Sequence, residues 1–222
     1  MFRPKGSFIH LLWLHFFTLY GGLAIITSNF FSSSFSNICG LYKPIITGEN
    51  IQRYFVSSTP KEYLRYGNWL GAAREERYFT EPRVIVRQIV SGNPLRIYAG
   101  FTNESLYFTQ IGFSIIPKKE KNINPKYLTA LLNLSLLNFI HKFLYLDIEK
   151  ELFQKILIEN CKQFPIKVIS LKEQNSFCDL VDKIITQKQK GEDSKANEAL
   201  IDKMVYELYH ITEDEQKLIE GK

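Results

Sequence analysis

KPIITGENIQRYF, residues 43–55, marks a change in the chain. Before it lies an apolar run with the length of a membrane span; after it come strand-like patterns studded with arginine. The lysine-to-threonine part reads as a short strand and Gly48-Glu49-Asn50 as a turn. Gly48 is placed to supply a positive φ, and Asn50 to cap the turn that follows. Ile51, Tyr54 and Phe55 then recur at helical spacing, leaving Gln52 and Arg53 on another face. The stretch is read as a pre-organised turn that carries an arginine and two aromatics to a surface.

Working outward toward the C-terminus, PRVIVRQIV (82–90) alternates Val84 and Val86 against Arg83, Ile85 and Arg87, the pattern of a strand with one partly polar face. SGNP (91–94) is turn chemistry, LRIYAGFT resumes as a strand, and SLYFTQIGFSIIP (105–117) is another. KKEKNINP (118–125) is a basic loop. The period then changes. KYLTALLNLSLLNFIHKFLY (126–145) is apolar nearly all round at helical spacing and predicts one buried helix. QFPIKVISLKEQ (163–174) reads as a short strand, NSFCDLVDKIITQKQKG (175–191) and ALIDKMVYELYHI (199–211) as amphipathic helices, and TEDE (212–215) as the capping-box start of a last helix. The expected fold is α+β: a mixed, strongly twisted β-sheet followed by C-terminal helices. The expected units are 1–40, 41–170 and 171–222.

Working outward toward the N-terminus, residues 8–31 hold no charged side chain, and Arg3 and Lys5 precede them. That suits a signal anchor, and a membrane-anchored protein is the alternative reading of the whole chain. His10, His15, Gly21, Gly22 and Asn29 interrupt the run, and no small-residue cleavage site follows. Two other readings are buried strand and helix of the domain, or an accidental N-terminus left by a broken gene. The last is favoured on the grounds given below.

The chain has 222 residues and a net charge of +5. Residues 41–128 alone carry +6, with seven arginines and six lysines against seven acids, whereas 129–222 carry −3. A basic middle suits phosphate and guanine contacts; a solvated basic face gives the same count. Three cysteines and four scattered histidines show no metal-ligand or disulfide spacing. No phosphate loop, GxGxxG turn or nucleophile elbow occurs. NPKY (124–127) approaches the Asn/Asp-Pro-Pro-Tyr/Phe loop of adenine methyltransferases, but Lys126 replaces the second proline and a helix-start turn is the better reading. The chain by itself is read as having no catalytic site.

Several stretches together resemble one family. KPIITGENIQRY resembles the KP-x-x-x-G-x-D/E-I-x-R-Y opening of the TaqI-like C-terminal specificity domain, the target recognition domain of adenine-specific DNA methyltransferases and of fused restriction–modification enzymes. PRVIVRQI resembles that family's P-K-I-hydrophobic-x-R strand. KYLTALLNLSLLNFI resembles its KYLLALLNSKL helix, with Leu134 where Ser is frequent. FPIKVISLKEQNSFCDLVDKII resembles its LPIP-x-I-x-x-x-x-Q segment, and ALIDKMVYELYHITEDEQKLIEG its ID-x-hydrophobic-VYELYGLTEEE tail, with His210 in place of Gly. The five matches run in the family's order across residues 41–222.

The resemblance implies a cytoplasmic, sequence-specific DNA-binding module whose partners are double-stranded DNA and a methyltransferase or restriction catalytic chain. In such proteins an S-adenosylmethionine-binding domain precedes this one. Here residues 1–40 stand in its place, which favours a truncated gene product with no cofactor or metal of its own. Recognition needs phosphate contacts for affinity and base-edge contacts for choice. The residues expected to supply them are Arg53, Arg74, Arg77, Arg83, Arg87, Gln88, Asn93, Arg96 and Gln110, with Lys118, Lys119 and Lys121 on phosphates. Tyr54 is expected beside Arg53, near the backbone or supporting the reading loops.

Overall fold

The computed structural model describes residues 17–21, 30–32, 42–60, 62–146 and 154–221. Numbered along the chain, its larger sheet has the order β1 (Phe17–Gly21), β8 (Gly112–Pro117), β6 (Arg83–Arg87), β7 (Ala99–Thr102), β4 (Tyr54–Phe55). Neighbours are antiparallel except β4, which runs parallel to β7. A smaller antiparallel sheet has the order β2 (Phe30–Ser32), β5 (Glu62–Arg65), β3 (Tyr42–Ile45). With helices on one side, the fold is α+β as expected.

The central strand β6 explains the layering. Successive side chains point to opposite faces. Val84 and Val86 join Phe113 and Ile115 in a core beneath the helices. Ile85 joins Leu64, Tyr78, Phe79, Tyr107 and Phe108 in a second core, beneath the small sheet and the one-turn helix α1 (Arg77–Thr80). Both faces are covered, so the partly polar face read from Arg83, Ile85 and Arg87 is interior at Arg83, which is 0% exposed.

The predicted single helix 126–145 is two: α2 (Pro125–Asn133) and α3 (Ser135–Tyr145), bent by 62° at Leu134. Leu134 is extended, and Asp202 accepts hydrogen bonds from the Ser135 backbone N–H (2.9 Å) and hydroxyl (3.0 Å), capping the second helix from across the core. NPKY is a helix start: the Asn124 side chain accepts from the Lys126 N–H at 2.9 Å, with Pro125 in the first turn. After α4 (Ile158–Lys162), residues 163–170 form no strand. Helix α5 (Leu171–Lys190) starts four residues before the expected point, because Ser170 and Glu173 form a reciprocal capping box. Then come α6 (Lys195–Tyr209), ended by His210 at φ 56°, and α7 (Glu213–Glu220), whose Thr212–Glu215 capping box is the one read from TEDE.

Helix α2 lies on β6, β7 and β4, α5 on α2, and α6 on α5. Phe177, Leu180, Val181, Ile184, Ile201, Val205 and Tyr206 therefore share the core of Val84 and Phe113. Each such side chain contributes about 1.5–3 kcal/mol by leaving water. Residues 171–222 complete the core of 41–170 rather than hang from it.

Two readings of the opening stretch change. The turn Gly48–Asn50 is a single 3-10 turn, held by Asn50 Oδ1 accepting from the Thr47 N–H (2.9 Å) and hydroxyl (3.0 Å), and no helix follows. The chain instead doubles back: Ile51 bridges Val56 and the Gln52 N–H donates to the Phe55 carbonyl at 2.9 Å. Gly48 is not the residue with positive φ; Tyr54 is, at 68°, with its ring buried. Within the apolar run, Phe17–Gly21 and Phe30–Ser32 are edge strands paired to β8 and β5. The rest of 8–31 lies outside the described residues, as do His10, His15 and Cys39. Among the described residues no single helix is long and apolar enough to cross a membrane; α2 and α3 together have the length and composition but are bent core helices.

His141 on α3 is 2% exposed, beside the rings of Tyr145 and Phe164, and its Nε2 has no partner among the described residues. Burial pushes its pKa down from 6.5 to about 4. The unfolded chain therefore takes up a proton that the fold refuses. The stability this neutral ring retains above pH 6.5 is expected to fall away as pH drops from 6.5 toward 4. Urea unfolding at pH 7 and pH 5 checks this: His141→Phe should shrink the difference between the two midpoints.

Candidate nucleic-acid interface

Of the expected contact residues, Arg83 is buried and Arg53 is half-buried, and both are engaged within the fold. Arg53 Nη1 pairs with Glu198 at 2.8 Å and Nη2 donates to the Asn133 carbonyl at 2.9 Å, so this arginine ties the opening turn to α2 and α6. Glu198 also meets Lys188 at 3.0 Å and the Ser194 hydroxyl at 2.7 Å. Burial pushes the Glu198 carboxyl up, but Arg53, Ser194 and Lys188 outweigh it and hold the group below its usual range. Arg83 donates from Nη1 to the Glu81 carbonyl (2.8 Å) and from Nη2 to the Leu106 carbonyl (3.0 Å). Burial lowers its pKa to about 10, which leaves it protonated at neutral pH. Neither guanidinium faces outward; the alternation that put Arg83 on a polar face continues into the second core. Tyr54 is likewise buried, its ring 5.6 Å from Arg53.

Arg87, Gln88, Asn93 and Gln110 come together at one end of the larger sheet. Gly112 lies opposite Arg87, and the Gln88 N–H donates to the Ile111 carbonyl at 2.9 Å, which sets exposed Gln110 beside them. The Arg87 guanidinium lies 3.9 Å from the Tyr98 ring centroid, with Nε donating to the Ile89 carbonyl at 3.0 Å and Nη2 to the Ser91 hydroxyl. Asn93 is exposed on the turn between Ser91 and Arg96, which bridge each other through their backbones. Arg96 is half-buried at the foot of that turn, where its charge opposes the upward push that burial gives the Asp202 carboxyl.

Lys118, Lys119 and Lys121 stand at the opposite end, after a β8 of six residues, about 20 Å away at strand rise. Their turn is pinned by Gln174 of α5, 0% exposed, which donates to the Asn122 carbonyl at 2.8 Å and accepts from the Asn124 N–H at 2.7 Å. Arg74 and Arg77 form a third group on the small-sheet side. Arg77 is engaged by Glu75 (2.8 Å) and by the Tyr78 hydroxyl (2.8 Å); Arg74 is exposed.

This third group includes two residues that the sequence reading passed over. Trp69 is 54% exposed, donates from Nε1 to the Arg65 carbonyl at 3.1 Å, and carries the Arg65 guanidinium 4.6 Å from its ring centroid. The signal was in YGNWLG (66–71), a tryptophan in a glycine-flanked turn. Also missed were the interior clamps. Asn133 donates to the Ala99 carbonyl (2.7 Å) and accepts from the Ala99 N–H (3.3 Å), while Asn138 accepts from the Ile97 N–H (2.6 Å). Arg53, Asn133, Gln174 and Asp202 are all polar letters of the quoted motifs, and in this fold each holds backbone or helix in place. Among the described residues no three His, Cys, Asp or Glu side chains converge as metal ligands would.

The larger sheet thus lies between a helical layer and a small second sheet, with arginine and glutamine at one end. The chain superposes on the type IIL restriction–modification enzyme MmeI, solved in complex with DNA, with a TM-score of 0.65 and 11% identity over 91% of this chain and 34% of that one. It also aligns with a structure of a type I restriction–modification system (TM-score 0.46, 14% identity, 92% of this chain and 42% of that one). A third alignment is with the HsdS subunit from Thermoanaerobacter tengcongensis (TM-score 0.44, 16% identity, 87% and 42%). The chain thus spans well under half the length of these structures. No curated protein matches. Residues 43–166 match the TaqI-like C-terminal specificity domain, and the chain belongs to that family.

Proposed function

We infer that this chain is the sequence-specific DNA recognition module of a restriction–modification system, in the adenine-specific methyltransferase branch that the family resemblance implies. The observation that carries the reading is the specificity-domain match across residues 43–166. The exposed chemistry is consistent with it. Exposed Gln110 and half-buried Gln88, beside Arg87 at one sheet end, offer amide donors and acceptors that suit adenine edges in a major groove. Lys118, Lys119 and Lys121 offer charge to phosphates farther along a duplex. Methyl transfer from S-adenosylmethionine, on this reading, is the work of a separate catalytic domain or chain, which this module would aim at its target.

The test is selection of the full chain against random duplex DNA, followed by binding of any enriched site over a salt series. Enrichment of a short motif, with affinity that falls as salt rises, is the expected result. Absence of binding even at low salt would overturn the reading.

A further inference from the structure

Resting on that reading, we propose that Arg65, its guanidinium over the Trp69 ring, is a DNA contact of this domain, gripping a pair of acceptor atoms on the duplex. Its place in the fold is the end of β5, where the chain leaves the small sheet into the turn Gly67–Leu70. That turn is anchored on both sides. Tyr66 packs its ring against Tyr107 (5.1 Å) and Phe79 (6.0 Å) and donates its hydroxyl to the Arg74 carbonyl, while Leu70 is buried. Between these anchors Trp69 stands out of the surface. It is held by its indole N–H on the Arg65 carbonyl and by Gly67, where any Cβ would collide with the six-membered ring.

The guanidinium chemistry then decides between arginines. Arg83 is buried, half-buried Arg53 is engaged by Glu198 and the Asn133 carbonyl, and Arg77 and Arg87 have two donors each engaged by nearby residues. Among the described residues, Arg65 alone of the arginines combines a ring platform with a side chain that meets no hydrogen-bond or ion-pair partner there. Stacking on an aromatic face uses the plane of the guanidinium and leaves its in-plane N–H groups for a ligand. The stack also orders the side chain before binding, which removes part of the entropy cost of ordering it in a complex. A flat, pre-set fork of donors matches the O6/N7 edge of guanine or two phosphate oxygens.

The test uses the full chain and the duplex that the wild type enriches. Dissociation constants are measured over a salt series for wild type, Arg65→Lys, Arg65→Ala and Trp69→Ala, each with a thermal melt. Arg65→Lys keeps the charge and loses the fork, so binding should weaken about tenfold with an unchanged melt. Trp69→Ala should do the same by freeing the arginine. Loss of discrimination at one base pair on reselection assigns the guanine edge; uniform weakening with a salt slope lowered by about one on Arg65→Ala assigns phosphate. Variants that fold and bind like a DNA-binding wild type overturn this inference alone. A wild type that binds no DNA overturns the functional reading, and the inference falls with it.

Discussion

Arg53→Ala is expected to destabilise the folded chain by about 3 kcal/mol while leaving the DNA affinity of the folded fraction and its salt slope unchanged. The reason is the company the guanidinium keeps. Its side chain is 19% exposed and that of its partner Glu198 13%, so removing the arginine strands a largely desolvated carboxylate with only Lys188 and Ser194. It also deprives the Asn133 carbonyl, at the end of α2, of its donor. In a chain of this length that loss corresponds to roughly 6–12 °C in melting temperature. A double-mutant cycle with Glu198→Gln separates the pair from the background: coupling of more than about 1 kcal/mol is expected. A normal melt together with weakened DNA binding would instead return Arg53 to the surface role that its sequence position suggested.

Arg83→Ala should be at least as damaging, by about 4 kcal/mol, through a different route. Arg83 has no carboxylate within ion-pair distance among the described residues; its two Nη groups serve the Glu81 and Leu106 carbonyls. Truncation leaves both carbonyls without a donor, at about 1–3 kcal/mol each, and opens a cavity beside Tyr107 and Phe108 in the second core. Arg83→Met restores volume without donors and should recover about half of the loss. Denaturant unfolding of the three proteins measures this directly. Equal stability for wild type and Arg83→Ala would mean that the side chain stands in water.

Much of the architecture was legible because periodicity reports burial. The alternation of Val84 and Val86 against Ile85 is the strand β6, the stripe Phe177–Leu180–Val181–Ile184 is the buried face of α5, and Thr212–Glu215 is a capping box. Where periodicity failed, a side chain from a distant segment had intervened. The helix break at Leu134 depends on Asp202, 67 residues from the Ser135 it caps. The lost turn of helix after Asn50 depends on the pairing of Gln52 with Phe55 and on the burial of Tyr54 beneath α2 and α5.

The interface was less legible than the fold. Arginines were chosen for their type, and type does not tell a reader from a clamp. Arg53 and Arg83 found carbonyl and carboxylate partners within the fold, whereas Arg65, passed over, lies over Trp69 with its donors unengaged among the described residues. By itself the sequence determined the α+β class, the core-facing stripes and the family, since these rest on local spacing and on the order of short motifs. Only the tertiary structure decided that residues 171–222 complete the core of 41–170. Only it decided, too, which cations are held inside and which reach the surface. A charge is satisfied by whatever the fold brings within about 3 Å of it, and that neighbour is rarely near in sequence.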